Sequence, residues 1–526
     1  MNAERFIQKA REAGFTFNIF KPGDEHYNSK RKIANSRFDL KPGAIAYCEN
    51  VAQVAFCVNY CREGESNLKP VPFRVRSGGH QHEGMCSANG VLVIDLSKIN
   101  QITYQDHDQA WIPVGIKLGE AYKKLSEKDL ILPGGGCGSV NVGGLTQGGG
   151  WGLHARKWGL TCDNVLEIEM VTAQGKEMKV CKDKQPKLFE AVRGSGGGNF
   201  GIVTRFLFQL RRPAKIMTSV RIHWAQKDME IITKTMFEFN SQISQHQSLT
   251  TFLRLTAMDV SEESPKNASV LFGGLFYGSP DELYQILSPF YRAATPLRSE
   301  FKETFHFPKS QYLANDGTIP AFSDAFGFYD LHEDISNFLL NLPSITPEGY
   351  RNSNGETTAP QSTCDGPHPH KVSSAFPKEG IDQGKLAKMI TKYINTPQDK
   401  IHKNPSVRAY LSIHSMGGAI ADMPPRSTAF YFRDKPFLLQ PQVWWGAPKD
   451  PESAKYLQWV DDFRTKLNEE KLIEGAFINF VDREVPLVEY YRTPENLKHL
   501  GTIKKKYDKD NIFKFDMSIP VVQSND

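Results

Sequence analysis

The chain has 526 residues, 40% hydrophobic and 23% charged, which is the balance of a globular protein with two or three domains. The chain has 64 lysines and arginines against 59 aspartates and glutamates, and residues of both charges are scattered along it. This pattern argues against a nucleic-acid-binding surface. The sequence has neither an apolar run of membrane-spanning length nor the apolar stretch of a secretory signal. We therefore expect a cytoplasmic protein that binds neither nucleic acid nor membrane.

Residues 41–213 are predicted to form one α+β domain behind an N-terminal extension, residues 1–40. Short strands and helices follow one another through this part of the chain. The predicted strands are AIAYC, FRVRSGG, VLVIDLSKI, AWIPVGI, the hairpin VLEIEMVTAQGKEMKV with its turn at Gln174-Gly175, and IVTRFLFQLRRP. The predicted helices are VAQVAFCVNYCREG, GEAYKKLSEKDL and KLFEAVRG.

Residues 214–475 are predicted to form a second domain, an antiparallel sheet covered by helices on one face. The predicted strands are SVRIHWAQ, LTTFLRLTAMD, ASVLFGGLFYGS, RAYLSIHSMGGAIAD and STAFYFRDKPFLLQPQVWW. The predicted helices are SPDELYQILSPFYRAA, capped by Ser279, and GKLAKMITKYINT. The polar stretch 352–370 predicts a loop. Residues 476–526 contain a basic helix, which we expect to pack back against the first domain.

Three glycine clusters lie in the first domain, at 77–79, 134–152 and 194–201. The third contains G-x-G-x-x-G, but a predicted strand follows it, whereas a Rossmann site needs a helix there. Backbone amides of glycine loops can surround a pyrophosphate, so the clusters predict one large anionic ligand, with simple tight turns as the alternative. His80 and Cys137 each lie inside one of these loops and are expected to touch the ligand. The eight cysteines show no zinc-type spacing, so no metal site is predicted.

Three motifs together resemble the FAD-linked oxidases of the berberine bridge enzyme type, in the vanillyl-alcohol oxidase superfamily. They are RSGGH followed by EGM, C-x-x-V-x-V-G-G-x-x-x-G-G-G-W-G, and R-G-x-G-G-G-N-F-G-I-V-T. The ending KYDKDNIF with SIP is similar to the family's ending, so the resemblance spans about residues 35–520. It implies a PCMH-type FAD-binding domain of two α/β subdomains, and in motif it is closest to sugar and oligosaccharide oxidases.

The same resemblance implies a bicovalent FAD, with His80 bonded to the 8-methyl carbon and Cys137 to the 6-position of the ring. Imidazole nitrogen and thiolate are nucleophiles suited to such bonds. The family usually has glycine where this chain has Asn141, and often histidine where it has Leu145. The implied cofactor-binding residues are Arg76, Ser77, Gly78, Gly79, His80, Gln81, Cys137, Asn141, Val142, Gly143, Gly144, Leu145, Trp151 and Val203.

For the chemistry, the resemblance implies transfer of a hydride to flavin, removal of the hydroxyl proton by a base, and reoxidation by O2 with release of H2O2. Gly136, just before the linking cysteine, has no side chain to block oxygen. The family's sugar oxidases have a tyrosine before the last helix, so Tyr490 is the first candidate base and Tyr491 the second, with simple packing as the alternative. Gln440 and Gln442 share one face of a predicted strand and can hold a hydroxyl.

The expected function is therefore a FAD-dependent oxidase of a small carbohydrate-type alcohol. The alternative is a tailoring oxidase or dehydrogenase of secondary metabolism that acts on an alkaloid, a polyketide or a glycosylated product. The absence of an acid from the strand FLLQPQVWW favours alcohol oxidation over ring closure.

Overall fold

The computed structural model describes residues 1–65, 70–243, 246–263, 268–305 and 367–522. All helices and strands named below lie within these ranges. Most of the predicted loop at 352–370 lies outside the described residues, because only 367–370 belong to them.

The N-terminal part of the chain forms a four-stranded sheet flanked by helices. Its elements are β1 Asn18–Phe20, β2 Ala44–Tyr47, β3 Phe73–Arg76, β4 Leu92–Asp95, α1 Ala3–Glu12, α2 Tyr27–Lys30 and α3 Val51–Glu63. The strand order is β1-β2-β4-β3, in which β1 is antiparallel and the others are parallel. Every residue of β4 is buried, as expected of a central parallel strand. The predicted extension supplies α1 and β1, and Phe6 of α1 is fully buried.

A five-stranded antiparallel sheet forms the second half of the first domain. Its elements are β5 Thr103–Gln105, β6 Gln109–Pro113, β7 Val165–Val171, β8 Glu177–Cys181, β9 Ile202–Gln209, α4 Leu118–Ser126, α5 Val142–Gly148, α6 Ala155–Trp158 and α7 Pro186–Val192. The strand order is β5-β6-β9-β7-β8. The β7–β8 hairpin turns at Gly175, whose φ of +66° suits glycine, as predicted.

The second domain is built on a seven-stranded antiparallel sheet. Its strands are β10 Ile216–Trp224, β11 Leu249–Ala257, β12 Val270–Phe276, β13 Arg298–Phe305, β14 His370–Val372, β16 Val407–Ser415 and β17 Phe437–Trp445, and β15 Phe376–Pro377 pairs separately with β18 Ile473–Glu474. The order in the sheet is β13-β10-β12-β11-β16-β17-β14. The predicted strand STAFYFRDKPFLLQPQVWW is shorter than expected, because only its second half pairs with β16.

Helices cover one face of this sheet. They are α8 Met229–Gln242, α9 Pro280–Ile286, α10 Ser288–Ala293, α11 Gln383–Asn395, α12 Asp399–His402 and α13 Ser453–Glu469. The Ser279 side chain caps α9 by accepting from the Glu282 amide at 3.3 Å. The single helix predicted after Ser279 is two helices with a break at Leu287, since Pro289 at the start of α10 has no amide hydrogen to continue the first one.

The two faces of the seven-stranded sheet differ in polarity, because successive side chains alternate between them. Leu253, Ile413 and Val443 point to one face and pack in a core with the helices. Arg254, Ser412 and Gln440 lie opposite one another in register on the other face. The prediction of helices on one face is confirmed.

The polar face of the sheet docks on the first domain. Trp151 donates its indole N–H to the Ser415 carbonyl at 2.9 Å. Arg156 of α6 is 1% exposed and donates to three carbonyls of the second domain, those of Ile243, Leu249 and Met416.

The C-terminal residues contain α14 Pro494–Tyr507 and belong to the same hydrophobic core as the strands of the first domain. The Ile519 amide donates to Asn199 Oδ1 at 2.9 Å, which ties the tail to the third glycine cluster. The domain limits at residues 40, 213 and 475 stay predictions. No helix in the described ranges combines the length and apolarity that a membrane crossing requires.

Candidate active site

A cavity of about 350 Å³ lies between the glycine clusters of the first domain and the polar face of the second. All three clusters contribute to its wall. The strands β11, β16 and β17 contribute the opposite wall, and residues 477–481, 513–515 and 517 complete it. A cavity of this size and position at a domain junction is typical of a cofactor and substrate site.

The first glycine cluster follows β3 at the carboxyl end of a parallel strand, where α/β sheets commonly bind ligands. Gly79 has a φ of +74°, and a Cβ added to Gly78 would lie 2.5 Å from Asn141 Oδ1. The close approach of this loop to the second cluster therefore requires glycine. The residues of the loop that line the cavity are Ser77, Gly78, Gly79, His80 and Gln81.

The second and third clusters are joined by backbone hydrogen bonds. The amides of Gly194 and Gly196 both donate to the Gln147 carbonyl, at 2.8 and 2.9 Å. The strand β9 follows the third cluster, so its G-x-G-x-x-G does not open a helix as a Rossmann motif would. The predicted residues of these clusters and of β9 that line the cavity are Cys137, Asn141, Gly143, Gly144, Leu145, Trp151 and Val203.

His80 and Cys137 reach the same cavity from different loops. Burial, helped by the nearby Lys117 charge, lowers the pKa of His80 to about 4, so the ring is neutral at pH 7. A hydrogen bond joins the His80 ring to the backbone of Ser139, two residues beyond Cys137. Cys137 itself is disulfide-bonded in this structure.

The sheet side of the cavity carries a polar cluster. Tyr410, Ser412 and His414 alternate along β16, and Gln440 and Gln442 lie beside them on β17. The His414 ring nitrogen Nε2 donates to Gln440 Oε1 at 2.7 Å, since an amide oxygen only accepts. Burial lowers the pKa of His414 to about 4.

A buried histidine pair also lines the cavity. His82 Nδ1 and His370 Nε2 lie 2.9 Å apart, and the other His370 nitrogen donates to the His368 carbonyl. The His370 ring stacks on Trp444 with centroids 4.0 Å apart, and the Trp444 indole donates to Gln442 Oε1 at 2.9 Å. Burial lowers the pKa of His82 to about 3, so this pair is neutral at pH 7.

Two predicted cofactor-binding residues do not line the cavity. Arg76 is buried and pairs with Asp95, the residue opposite it on β4, at 2.5 Å. A buried guanidinium needs such a partner, and this pairing holds Arg76 in the sheet. Val142 is fully buried at the start of α5 and packs in the hydrophobic core.

The two candidate base tyrosines do not line the cavity either. The Tyr490 hydroxyl donates to the Asp482 carbonyl at 2.9 Å and accepts from the Asp482 amide at 2.8 Å. The Tyr491 hydroxyl donates to the Ser195 carbonyl at 2.9 Å. Burial raises the pKa of both phenols, which opposes a role as base. Both hydroxyls are thus engaged by backbone groups away from the cavity wall, and the choice between base and simple packing stays a prediction.

The cavity wall fits a large cofactor such as FAD. The Oδ1 atom of Asn141 is buried without a hydrogen-bond donor from the described part of the chain, although its Nδ2 donates to the Gly115 carbonyl at 2.7 Å. A Cβ added to Gly144 would meet no described atom within 4 Å, so this side of α5 faces open space. Glycine loops beside an open volume suit a pyrophosphate, because no side chain obstructs the approach to their backbone.

Sequence reasoning missed Arg254, Tyr410, Ser412, His414 and the His82–His370 pair as cavity residues. A signal for three of them exists in RAYLSIHS, where the polar residues 410, 412 and 414 alternate with the apolar residues 409, 411 and 413. No local signal marks His82 and His370, because 287 residues separate them in the chain.

The fold and cavity define a FAD-dependent oxidoreductase, and comparisons with known proteins agree. Residues 42–180 match the family described as "FAD binding domain", and residues 476–520 match "Berberine and berberine like". The "Uncharacterized FAD-linked oxidoreductase YgaK" of Bacillus subtilis is 30% identical over 511 residues, which cover 96% of this chain and 97% of that protein. The chain belongs to the berberine bridge enzyme-like family of FAD-linked oxidoreductases.

Solved structures share the fold. BBE-like 1 of Physcomitrella patens is 23% identical with a TM-score of 0.78, covering 99% of this chain and 100% of that one. Glucooligosaccharide oxidase from Acremonium strictum, with a 6-S-cysteinyl, 8α-N1-histidyl FAD, is 21% identical with a TM-score of 0.76 and the same coverage. These likenesses confirm the PCMH-type α+β fold predicted from the sequence.

Proposed function

We propose that this protein is an oxidase of small carbohydrate-type alcohols with a bicovalently bound FAD. The observation that carries the proposal is the single cavity that joins His80 and Cys137 to the hydroxyl-binding side chains of the seven-stranded sheet. When bound there, FAD supplies the acceptor for the substrate hydride and passes the electrons to O2, which yields H2O2.

His80 is the side chain best prepared for covalent attachment. Its lowered pKa keeps the imidazole neutral at pH 7, so a nitrogen lone pair is available to form a bond. Cys137 lies in the adjoining loop, but its sulfur is engaged in a disulfide. Attachment through Cys137 therefore requires the thiol form, which exists before that disulfide closes or after it is reduced.

The sheet side supplies groups for the substrate hydroxyls. Because His414 occupies the oxygen of Gln440, the amide –NH2 of Gln440 is the end that donates to a substrate hydroxyl. We assign the role of proton acceptor to the neutral His414 ring, in place of Tyr490. Gly136 also lines the cavity, and its lack of a side chain leaves room for O2.

Two measurements test the proposal. Acid precipitation is expected to leave yellow flavin on the protein, and His80→Ala and Cys137→Ala should each leave one bond with a different absorbance spectrum. A screen of mono- and oligosaccharides in air should release H2O2. Complete loss of the flavin into the acid supernatant would overturn bicovalent attachment, and fast turnover with a dye but none with O2 would overturn the oxidase assignment.

A further inference from the structure

Arg254 is a charged residue on the substrate side of the cavity that the proposed chemistry does not use. It lies on β11, directly opposite Ser412 of β16, which in turn lies opposite Gln440 of β17. All three line the cavity. The row therefore places a guanidinium, a hydroxyl and an amide side by side across three strands.

The guanidinium of Arg254 has no anionic partner among the described residues. Its Nε is buried and makes no hydrogen bond to any described atom. The contact it makes is with the Tyr410 ring, whose centroid lies 4.7 Å from the guanidinium carbon. An aromatic ring stacked against a guanidinium fixes the orientation of the guanidinium plane. The N–H groups at the edge of that plane can then donate to other acceptors.

Three other arginines, the half-buried Arg433 and the buried Arg76 and Arg156, are supplied with acceptors. Arg433 binds Asp163 with two bonds of 2.7 Å, and Arg76 pairs with Asp95. Arg156 donates to three carbonyls. Arg37 also has a buried Nε without a described acceptor, but its Nη2 donates to Glu83 at 3.0 Å. Arg254 differs because it has no anionic partner among the described residues, which points to an acceptor that arrives with a ligand.

We propose that Arg254 binds a carboxylate of the substrate, so that the alcohol oxidised here is an acidic one, such as a uronate. This inference rests on the proposed oxidase function and names its substrate class. A carboxylate matches the fork of N–H donors on a guanidinium, and Ser412 and Gln440 lie next in the row to hold the hydroxyls of the same molecule.

The charge of Arg254 also reaches the proposed proton acceptor. It adds to the effect of burial in lowering the pKa of His414, while the bond to Gln440 acts in the opposite direction. A bound carboxylate would neutralise that charge. The acidic substrate thus makes the His414 ring a stronger base than a neutral substrate does.

The test compares D-glucuronate with D-glucose and D-galacturonate with D-galactose on the flavin-loaded enzyme. Wild type should favour each acid in kcat/KM. In Arg254→Gln the preference should fall by about 30-fold or more, mainly through KM, because one member of a desolvated charge pair is lost. Arg254→Lys keeps the positive charge but loses the paired N–H donors of the guanidinium, so it should retain part of the preference for the acids. Arg221→Gln removes a charge from the same sheet face outside the cavity and should leave the preference unchanged.

Calorimetric titration without oxygen separates this proposal from the oxidase proposal. If no sugar releases H2O2 but D-glucuronate still binds wild type and binds Arg254→Gln more weakly, the carboxylate site stands and the oxidase assignment fails. If H2O2 is released and Arg254→Gln keeps the full acid preference, or wild type prefers the neutral sugars, the carboxylate site is overturned. Flavin content and melting temperature show whether each variant is folded. If Arg254→Gln does not fold, the comparison is made with Arg254→Lys instead.

Discussion

Tyr490 and Tyr491 show how burial decides the chemistry of a single residue. Both precede the last helix, and both hydroxyls are bound to backbone groups of the protein. A phenol that serves as a base must meet the substrate and have a lowered pKa, and burial does the reverse here. The buried His414 ring on the cavity wall is instead neutral at pH 7 and able to accept a proton.

Tyr490→Phe should lower stability and leave catalysis intact. The change removes two hydrogen bonds and leaves the Asp482 amide and carbonyl without a partner, which costs about 1–3 kcal/mol of unfolding free energy. Thermal melting and steady-state kinetics on the same preparation check this. A large loss of kcat at an unchanged melting temperature would restore Tyr490 as the base, whereas His414→Gln is expected to lower kcat.

Helix α5 shows that neighbouring glycines in one element have different roles. A Cβ on Gly143 would lie 2.7 Å from Val114 Cβ, so this glycine permits packing of the helix against the residue that follows β6. A Cβ on Gly144 would enter open space at the cavity wall. Both glycines line the cavity, but a side chain at Gly143 would meet Val114 whereas a side chain at Gly144 would be unobstructed.

Gly144→Ala should therefore reduce flavin incorporation without loss of stability. In the absence of flavin its melting temperature should be unchanged or higher, since alanine favours a helix over glycine by about 1 kcal/mol. Gly143→Ala is the matched control and should lower the melting temperature through its clash with Val114. The ratio of flavin absorbance to protein absorbance measures incorporation, and a normal ratio in Gly144→Ala would contradict the assignment of this wall to the cofactor.

Across the whole molecule, the domain junction is held by buried polar groups as well as apolar packing. Arg156 of the first domain and the Arg433–Asp163 pair both cross it. Burial lowers the pKa of Arg156 to about 10, so it remains charged at pH 7. The cavity exists because these contacts fix the glycine clusters against the polar sheet face.

The free energy of unfolding should fall as the pH is lowered from 7 to 5. Burial lowers the pKa of His82 and His154 to about 3, below the value of about 6.5 in an unfolded chain. Their stabilising effect is complete above pH 6.5 and is lost as the unfolded state takes up protons, at up to about 1.4 kcal/mol per pH unit for each histidine. Denaturant titrations at several pH values measure the slope.

His154→Gln isolates the histidine effect, because the buried acids Glu83 and Asp508, whose pKa burial raises, act in the opposite direction. Its stability should change less between pH 7 and pH 5 than that of wild type. Exposed His26 provides the control substitution, His26→Gln, which should leave the slope unchanged. An equal slope in wild type and His154→Gln would rule out this source of acid sensitivity.

Much of the fold was predictable because its signals are local. Strand alternation and helix periodicity placed most elements, and the antiparallel sheet with helices on one face is confirmed. The helix after Ser279 was predicted too long, since periodicity alone does not register the break before Pro289. Because side chains alternate along a strand, the segment FLLQPQVWW correctly predicted that Gln440 and Gln442 share one face. Both line the cavity.

The sequence by itself determined the family, the glycine loops and the two candidate flavin-linking residues, because these depend on residue types at fixed short spacings. Only the tertiary structure decided which side chains meet at the site. Arg254, His414 and Gln440 come from three strands whose adjacency depends on sheet order, and the position of Tyr490 away from the cavity wall depends on what packs around it. Convergence of this kind is set by contacts between distant segments, which no local pattern encodes.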